Sequence, residues 1–223
     1  MSEPDDYFND MDARLLWSAD GLDWRRATVP AFEGEPSYER YATLGDTSII
    51  LGTEHDENGI PTHFVLTSSD GIAWRRAQFE LPASVPPTFM RASGLACNEA
   101  RCVITARPDD GGIGGFAMTS EDGEQWDRHP IELGGELGTG QLHLVATETS
   151  FLALGEGGWY ALLTADGASW RAVQVMPSTS NDTLWGMAVV GDTVIALAGG
   201  NDAEPIVWRG RLSFLEQALD ALE

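Results

Sequence analysis

Ser68-Ser69-Asp70-Gly71-Ile72-Ala73-Trp74 is the stretch that decides the fold, because the chain writes it three more times. Ser18 to Trp24 reads SADGLDW, Ser120 to Trp126 reads SEDGEQW, and Thr164 to Trp170 reads TADGASW. Every copy holds a hydroxyl residue, then Asp and Gly, then Trp at its end. Asp20, Asp70, Asp122 and Asp166 stand 50, 52 and 44 residues apart. Self-similarity at a period of about 50 residues marks a repeat architecture, so each copy is one supersecondary unit that needs neighbours to bury its core.

The chemistry of the heptad is that of a tight hairpin. Phe64 to Thr67 before the second copy and Trp74 to Phe79 after it have strand character, and a polar Asp-Gly turn between two such runs reads as a hairpin. The carboxylates of Asp20, Asp70, Asp122 and Asp166 can accept hydrogen bonds from turn N–H groups. Gly21, Gly71, Gly123 and Gly167 take the positive φ that a side chain makes costly. Ser18, Ser68, Ser120 and Thr164 bond within the turn, and Trp24, Trp74, Trp126 and Trp170 fold back over the strand pair. All four roles are structural.

These heptads resemble the Asp-box (BNR) repeat of bacterial β-propellers, the motif of sialidase-like folds. The resemblance covers residues 15–210. Where many family members carry Thr before the Trp, Asp23, Ala73, Gln125 and Ser169 stand here, which implies a shortened turn. The resemblance implies Asp boxes at the blade periphery, away from any catalytic centre, so these aspartates are not read as catalytic. It also implies what a sialidase would need: three arginines around a carboxylate, a Tyr nucleophile paired with a Glu, and an Asp acid. Arg40, Arg91 and Arg107, with Tyr38 or Tyr41, are the residues available for that. The family's early Arg-Ile/Leu-Pro motif is absent, and no catalytic residue is assigned.

The chain divides into an acidic arm (1–13), an all-β propeller (14–211) and an amphipathic C-terminal helix (212–223). Three units are complete, at 38–79, 89–131 and 141–175. Residues 15–29 supply only two outer strands, and 184–210 only three inner ones. The expectation is four four-stranded blades closed within one chain, the end pieces zipping together. A five-unit open arc or a two-chain ring is the alternative. Ser213-Phe214-Leu215-Glu216 reads as a capping box for the helix, and Leu215, Ala218, Leu219 and Leu222 fall on one face.

Composition narrows the partners. The 223 residues carry a formal charge of −22, and all 13 basic residues are Arg. Such a surface repels phosphate backbones and anionic lipid, so nucleic acid and membrane are not expected partners; an unknown protein or glycan is. A monomer is favoured over a homodimer. The N-terminus lacks the basic and apolar regions of a signal peptide, so the reading is cytoplasmic unless an export segment has been removed. Cys97 and Cys102 flank a turn where a disulfide is feasible; two buried thiols are slightly preferred. No metal or cofactor is expected, because no spacing of carboxylates and imidazoles matches a metal loop.

Any ligand is expected on the loop face opposite the Asp boxes, where loops vary from unit to unit. The candidate residues there are Arg40, His55, Asp56, Arg91, His143 and Trp185. The main reading is a non-enzymatic binding propeller. The alternative is a sialidase-like glycoside hydrolase or a carbohydrate-binding propeller.

Overall fold

The computed structural model describes residues 15–55, 57, 59, 61–78, 90–108, 115–131, 142–155, 160–175, 183–199 and 205–220. The acidic arm therefore lies outside the described residues. Alternating apolar runs and polar turns produce antiparallel sheets throughout, in five groups. Strands β1 (Leu16–Trp17) and β2 (Arg25–Arg26) form a two-stranded sheet. Strands β3 (Glu35–Leu44), β4 (Thr47–His55), β5 (Pro61–Ser68) and β6 (Arg75–Arg76) form the first four-stranded one. It is followed by β7 (Met90–Cys97), β8 (Cys102–Pro108), β9 (Gly115–Ser120) and β10 (Asp127–Ile131). The third consists of β11 (Leu142–Ala146), β12 (Phe151–Gly155), β13 (Tyr160–Thr164) and β14 (Arg171–Gln174). A three-stranded sheet of β15 (Thr183–Val190), β16 (Thr193–Gly199) and β17 (Ile206–Arg211) precedes the helix α1 (Leu212–Asp220).

Each sheet runs in simple up-and-down order, and the first strands β3, β7, β11 and β15 are neighbours in succession. This is a propeller-like arrangement. The middle strands β4, β8 and β12 are buried on both faces, which explains their Ile, Val, Leu and Ala content. The apolar clusters lie between successive sheets. Ile49, Leu51 and Val65 meet Ile104, Met118 and Trp126; Val103 and Ala117 meet Phe151 and Ala153; Leu152 and Leu154 meet Val194 and Ala196.

Among the described residues the expected closure does not form. The pair β1–β2 stands beside the β3–β6 sheet, where Thr28 makes a parallel bridge to Ala73. The Thr28 N–H donates to the Ile72 carbonyl at 2.7 Å, and the Trp74 N–H donates to the Thr28 carbonyl at 2.9 Å. The β15–β17 sheet is not joined by the N-terminal strands. The described sheets form an open series, because β1 and β2 follow the chain-adjacent sheet rather than the distant one.

All four heptads have the expected turn geometry. In the second, the Asp70 carboxylate accepts from Ile72 N–H at 2.8 Å, Ala73 N–H at 2.9 Å and the Ser68 hydroxyl at 2.9 Å. The Trp74 indole donates to the Gly71 carbonyl at 3.0 Å. The same pattern recurs at Asp20, Asp122 and Asp166. The N–H of Asp23, of Ala73 and of Gln125 is the main influence holding Asp20, Asp70 and Asp122 below the usual carboxylate range. At Asp166 burial pulls the other way, but Ser169, Ala168 and Thr164 together outweigh it.

The boxes do more than close hairpins. A Cβ on Gly123 would stand 2.8 Å from Ile49 Cδ1, and one on Gly167 would stand 2.6 Å from Val103 Cγ2, both on the preceding sheet. Trp126 and Trp170 pack into the same junctions. The repeat predicts the same fold-back over the strand pair for all four tryptophans. Trp126 is 9% exposed but Trp24 is 60% exposed, because among the described residues no sheet precedes the first box.

Two other expectations need correction. Cys97 and Cys102 are bridged, as directly opposed partners at the end of the β7–β8 ladder; the two-thiol preference was wrong because pairing sets both side chains on one face. Helix α1 is not capped by its own box. The Ser213 N–H and hydroxyl both donate to the Asp192 carboxylate, at 2.7 and 2.8 Å. An acid in the β15–β16 turn thus takes the capping role, and the Ser213 N–H chiefly holds Asp192 below the usual carboxylate range. Leu212 and Leu215 pack into the last apolar cluster.

Candidate functional site

Three of the four first strands carry an irregularity at the same level. The β3–β4 register slips between Tyr38 and Arg40, the β7–β8 register between Ala92 and Gly94, and the β15–β16 register between Leu184 and Gly186. The extra residues are Glu39, Ser93 and Trp185. A bulge bends its strand and re-aims a side chain, and such bulges gather beside binding sites. Just past them, Arg40, Gly94 and Gly186 pair with Leu51, Thr105 and Leu197, and His143 holds the same place opposite Leu154. Four first strands thus contribute one residue each at one level.

Arg40, Gly94, Leu95, His143, Trp185 and Gly186 are among the residues that line a depression of about 240 Å³. Arg40 donates from Nη1 to the Glu39 carbonyl at 2.9 Å, which steadies the guanidinium without neutralising it. The Trp185 ring lies over the backbone of Gly199, where a Cβ would come within 2.7 Å of it. Trp185 as a whole is 53% exposed. Gly94 lets β7 approach β11, since a Cβ there would stand 2.6 Å from Leu144 Cβ.

Glu39 is tied back into the sheet. The Ala92 N–H donates to His63 Nε2 at 3.2 Å, so Nδ1 is left to face Thr53 Oγ1 at 3.2 Å. The Thr53 hydroxyl donates to the Glu39 carboxylate at 2.6 Å. This relay links two sheets behind the depression and fixes the bulge. Beside it, Glu54 accepts two bonds from Arg76 Nη2, both at 2.9 Å, and Arg76 lies 4.8 Å from the centre of the Phe32 ring.

The structure brings together Arg40, His143 and Trp185 from the expected ligand face. It leaves His55 exposed at the far end of β4, opposite Glu35 and Pro61 and outside the lining. Asp56 lies outside the described residues, as does the side chain of Arg91 on β7. Arg91 and Arg107 are opposed partners. Tyr38 packs with Phe32 and Phe64, and burial pushes its phenol upward; Tyr41 faces Ser48 at 3.2 Å. Glu39, Gly94 and the bulges were missed by sequence reasoning. The extra residue in Ser37-Tyr38-Glu39-Arg40 relative to its partner strand becomes visible only once pairing is known.

A larger depression of about 430 Å³ lies at the third and fourth heptads, lined by Arg101, Asp122, His129 and Asp166 among others. Its two box carboxylates are already engaged by backbone N–H groups. Among the described residues no three of His, Cys, Asp and Glu gather as metal ligands. No helix among them is long and apolar enough to cross a membrane.

No family model matches the chain, and no curated protein does. Solved structures do. The chain is similar to a Hadza microbial sialidase with TM-score 0.59 and 17% identity, over 88% of this chain and 43% of that one. It is similar to the β-1,2-mannobiose phosphorylase of Listeria innocua in complex with β-1,2-mannobiose, with TM-score 0.53 and 15% identity, over 92% and 68% of the two chains. A GH43 β-1,3-galactosidase matches with TM-score 0.50 and 12% identity, over 91% and 54%. At these identities the likeness shows the fold, a propeller-like set of antiparallel sheets of the kind found in sialidases and GH43 glycoside hydrolases.

Proposed function

We propose that this protein is a carbohydrate-binding propeller whose ligand sits in the depression between Arg40, His143 and Trp185. The observation that carries the reading is the exposed Trp185, laid on Gly199 at a bulge, lining one depression with Arg40 and His143. A flat indole offers its π-face to the C–H face of a pyranose, while Arg and His supply hydrogen bonds to hydroxyls or a carboxylate. Concave sites that combine an aromatic wall with a few polar groups suit small ligands.

Binding is preferred to hydrolysis on chemical grounds. Glycoside cleavage in most families needs two carboxyl groups flanking the bond. The described lining provides Arg40 and His143, and the neighbouring Glu39 carboxylate is engaged by Thr53. The similar folds bear the names of carbohydrate-active enzymes, which is an analogy of fold and no more. The Cys97–Cys102 bridge supports an oxidising setting such as the cell exterior.

The experiment is a tryptophan-fluorescence titration with a panel of neutral and sialylated oligosaccharides, run beside a fluorogenic glycoside assay. The expected result is saturable quenching without turnover, weakened at least tenfold by Trp185→Ala. Turnover that depends on Glu39 would replace the binding reading with the hydrolase one. Binding that is unchanged in both Trp185→Ala and Arg40→Ala would refute the site.

A further inference from the structure

Two internal junctions, β3–β6 with β7–β10 and β7–β10 with β11–β14, have the same two halves. The receiving wall is the face of one sheet turned toward the next, and the incoming part is the next sheet's Asp box. In the β3–β6 sheet the wall includes Ile49, Leu51, Val65 and Thr67, and Gly123 and Trp126 of the next sheet close on it. In the β7–β10 sheet Val103 and Thr119 receive Gly167, and Trp170 packs in the same cluster as Val103. An arginine ties the joint on its outer side. Arg75 pairs with Glu124 of the next box, and Arg101 donates to the Asp166 carbonyl at 3.0 Å.

Among the described residues both halves of one more joint are left open, at opposite ends of the series. Ladder register identifies the wall of the last sheet. Leu51, Thr105, Leu154 and Leu197 are paired with Val65, Ala117, Ala161 and Val207. The first three pairs are buried, but Leu197 is 43% exposed and Val207 64% exposed. The neighbouring pair Ile195 and Arg209 completes this wall, with Arg209 and Arg211 exposed on its outer strand. At the other end stands the first Asp box. Among the described residues nothing lies within 4 Å of a Cβ on Gly21, and Leu16, Leu22 and Trp24 are exposed. Asp20 and Asp23 are exposed with them.

We propose that the first Asp box of one copy of this chain docks on the β15–β17 wall of a second copy, rebuilding the internal joint between molecules. Gly21 then closes on Ile195 and Arg209 as Gly167 closes on Val103 and Thr119. Trp24 is covered, and Arg209 or Arg211 meets the acidic turn at Asp20 and Asp23. The contact is heterologous, head to tail, because the two surfaces differ. A second copy is favoured over an unrelated partner because Ile195, Leu197 and Val207 repeat Ile49, Leu51 and Val65 of the wall that the chain's own third heptad covers three sheets earlier, with Arg209 in the place of Thr67. The opposite charges of the two halves also suit one another in a protein whose net charge otherwise opposes self-association.

The experiment is light scattering of the whole protein across a concentration series, with two single-ended variants. The unaltered chain should run at a whole multiple of 24.1 kDa. Trp24→Asp and Leu197→Asp, both changes at exposed positions, should each run as a monomer with an unchanged circular dichroism spectrum. Mixed in equal amounts, the two variants should form a dimer through the one intact pair of surfaces. A monomer at every concentration overturns the proposal. So does an assembly that Leu197→Asp abolishes and Trp24→Asp leaves intact, which would mean wall-to-wall pairing, or one in which neither variant matters.

Discussion

Replacing Gly167 by Ala tests whether the heptads work as junctions between sheets as well as hairpin turns. Two costs apply. Gly167 has φ of +75°, where an L-residue loses about 1–2 kcal/mol. The new Cβ would also stand 2.6 Å from Val103 Cγ2 and 2.7 Å from Thr119 Cγ2. Both are core-facing atoms of the preceding sheet, and forcing a methyl into a packed wall costs about 1–3 kcal/mol. Gly45 supplies the control, since its φ is +56° and a Cβ there meets nothing within 4 Å. Gly45→Ala should therefore show only the backbone cost. The difference, about 1–3 kcal/mol, is to be read from equilibrium urea unfolding, and as a melting temperature lower by about 2–4 °C for each kcal/mol in a chain of this size. A double-mutant cycle sharpens the test: Val103→Ala should make Gly167→Ala less damaging, because the truncated valine leaves room. Equal losses for Gly45→Ala and Gly167→Ala, with no coupling to Val103, would refute the junction role and leave the boxes as hairpin turns alone.

Two other outcomes follow from the same geometry. Asp20, Asp70, Asp122 and Asp166 are all held below the ordinary carboxylate range, so the folded state binds protons later than the unfolded one. Their contribution is complete above the unfolded carboxylate range and is lost as pH falls through the folded values, so stability should drop steeply below about pH 4; a melting temperature flat from pH 6 to 3 would contradict it. Replacing Cys97 and Cys102 by Ser should cost about 2 kcal/mol for so short a loop, and the untreated protein should show no reactive thiol in a denaturing titration.

What was legible in the sequence was local. The heptads reveal their hairpins because Asp, Gly and the hydroxyl residue satisfy the turn within seven residues, and the strands between them follow from apolar runs. Ladder partners across a tight turn follow as well. The missing parts are those set at a distance. Nothing near Leu16 or Arg26 says whether β1 and β2 will join the last sheet or stand beside the next one. The burial of Trp126 and the exposure of Trp24 come from identical motifs, and only the presence of a preceding sheet separates them. The bulges at Glu39 and Trp185 require knowledge of the partner strand, and the Asp192 cap on α1 joins residues 21 apart. Arg40, His143 and Trp185 were recognisable as polar or aromatic residues on first strands, while their common depression was not.

The most direct test of the account is a crystal of the protein soaked with the oligosaccharide that titrates most tightly. The account predicts a sugar ring stacked on Trp185, with hydroxyl or carboxylate groups within hydrogen-bond distance of Arg40 and His143. Density for the sugar at the Asp-box turns instead, in the depression lined by Arg101, Asp122 and Asp166, would contradict it.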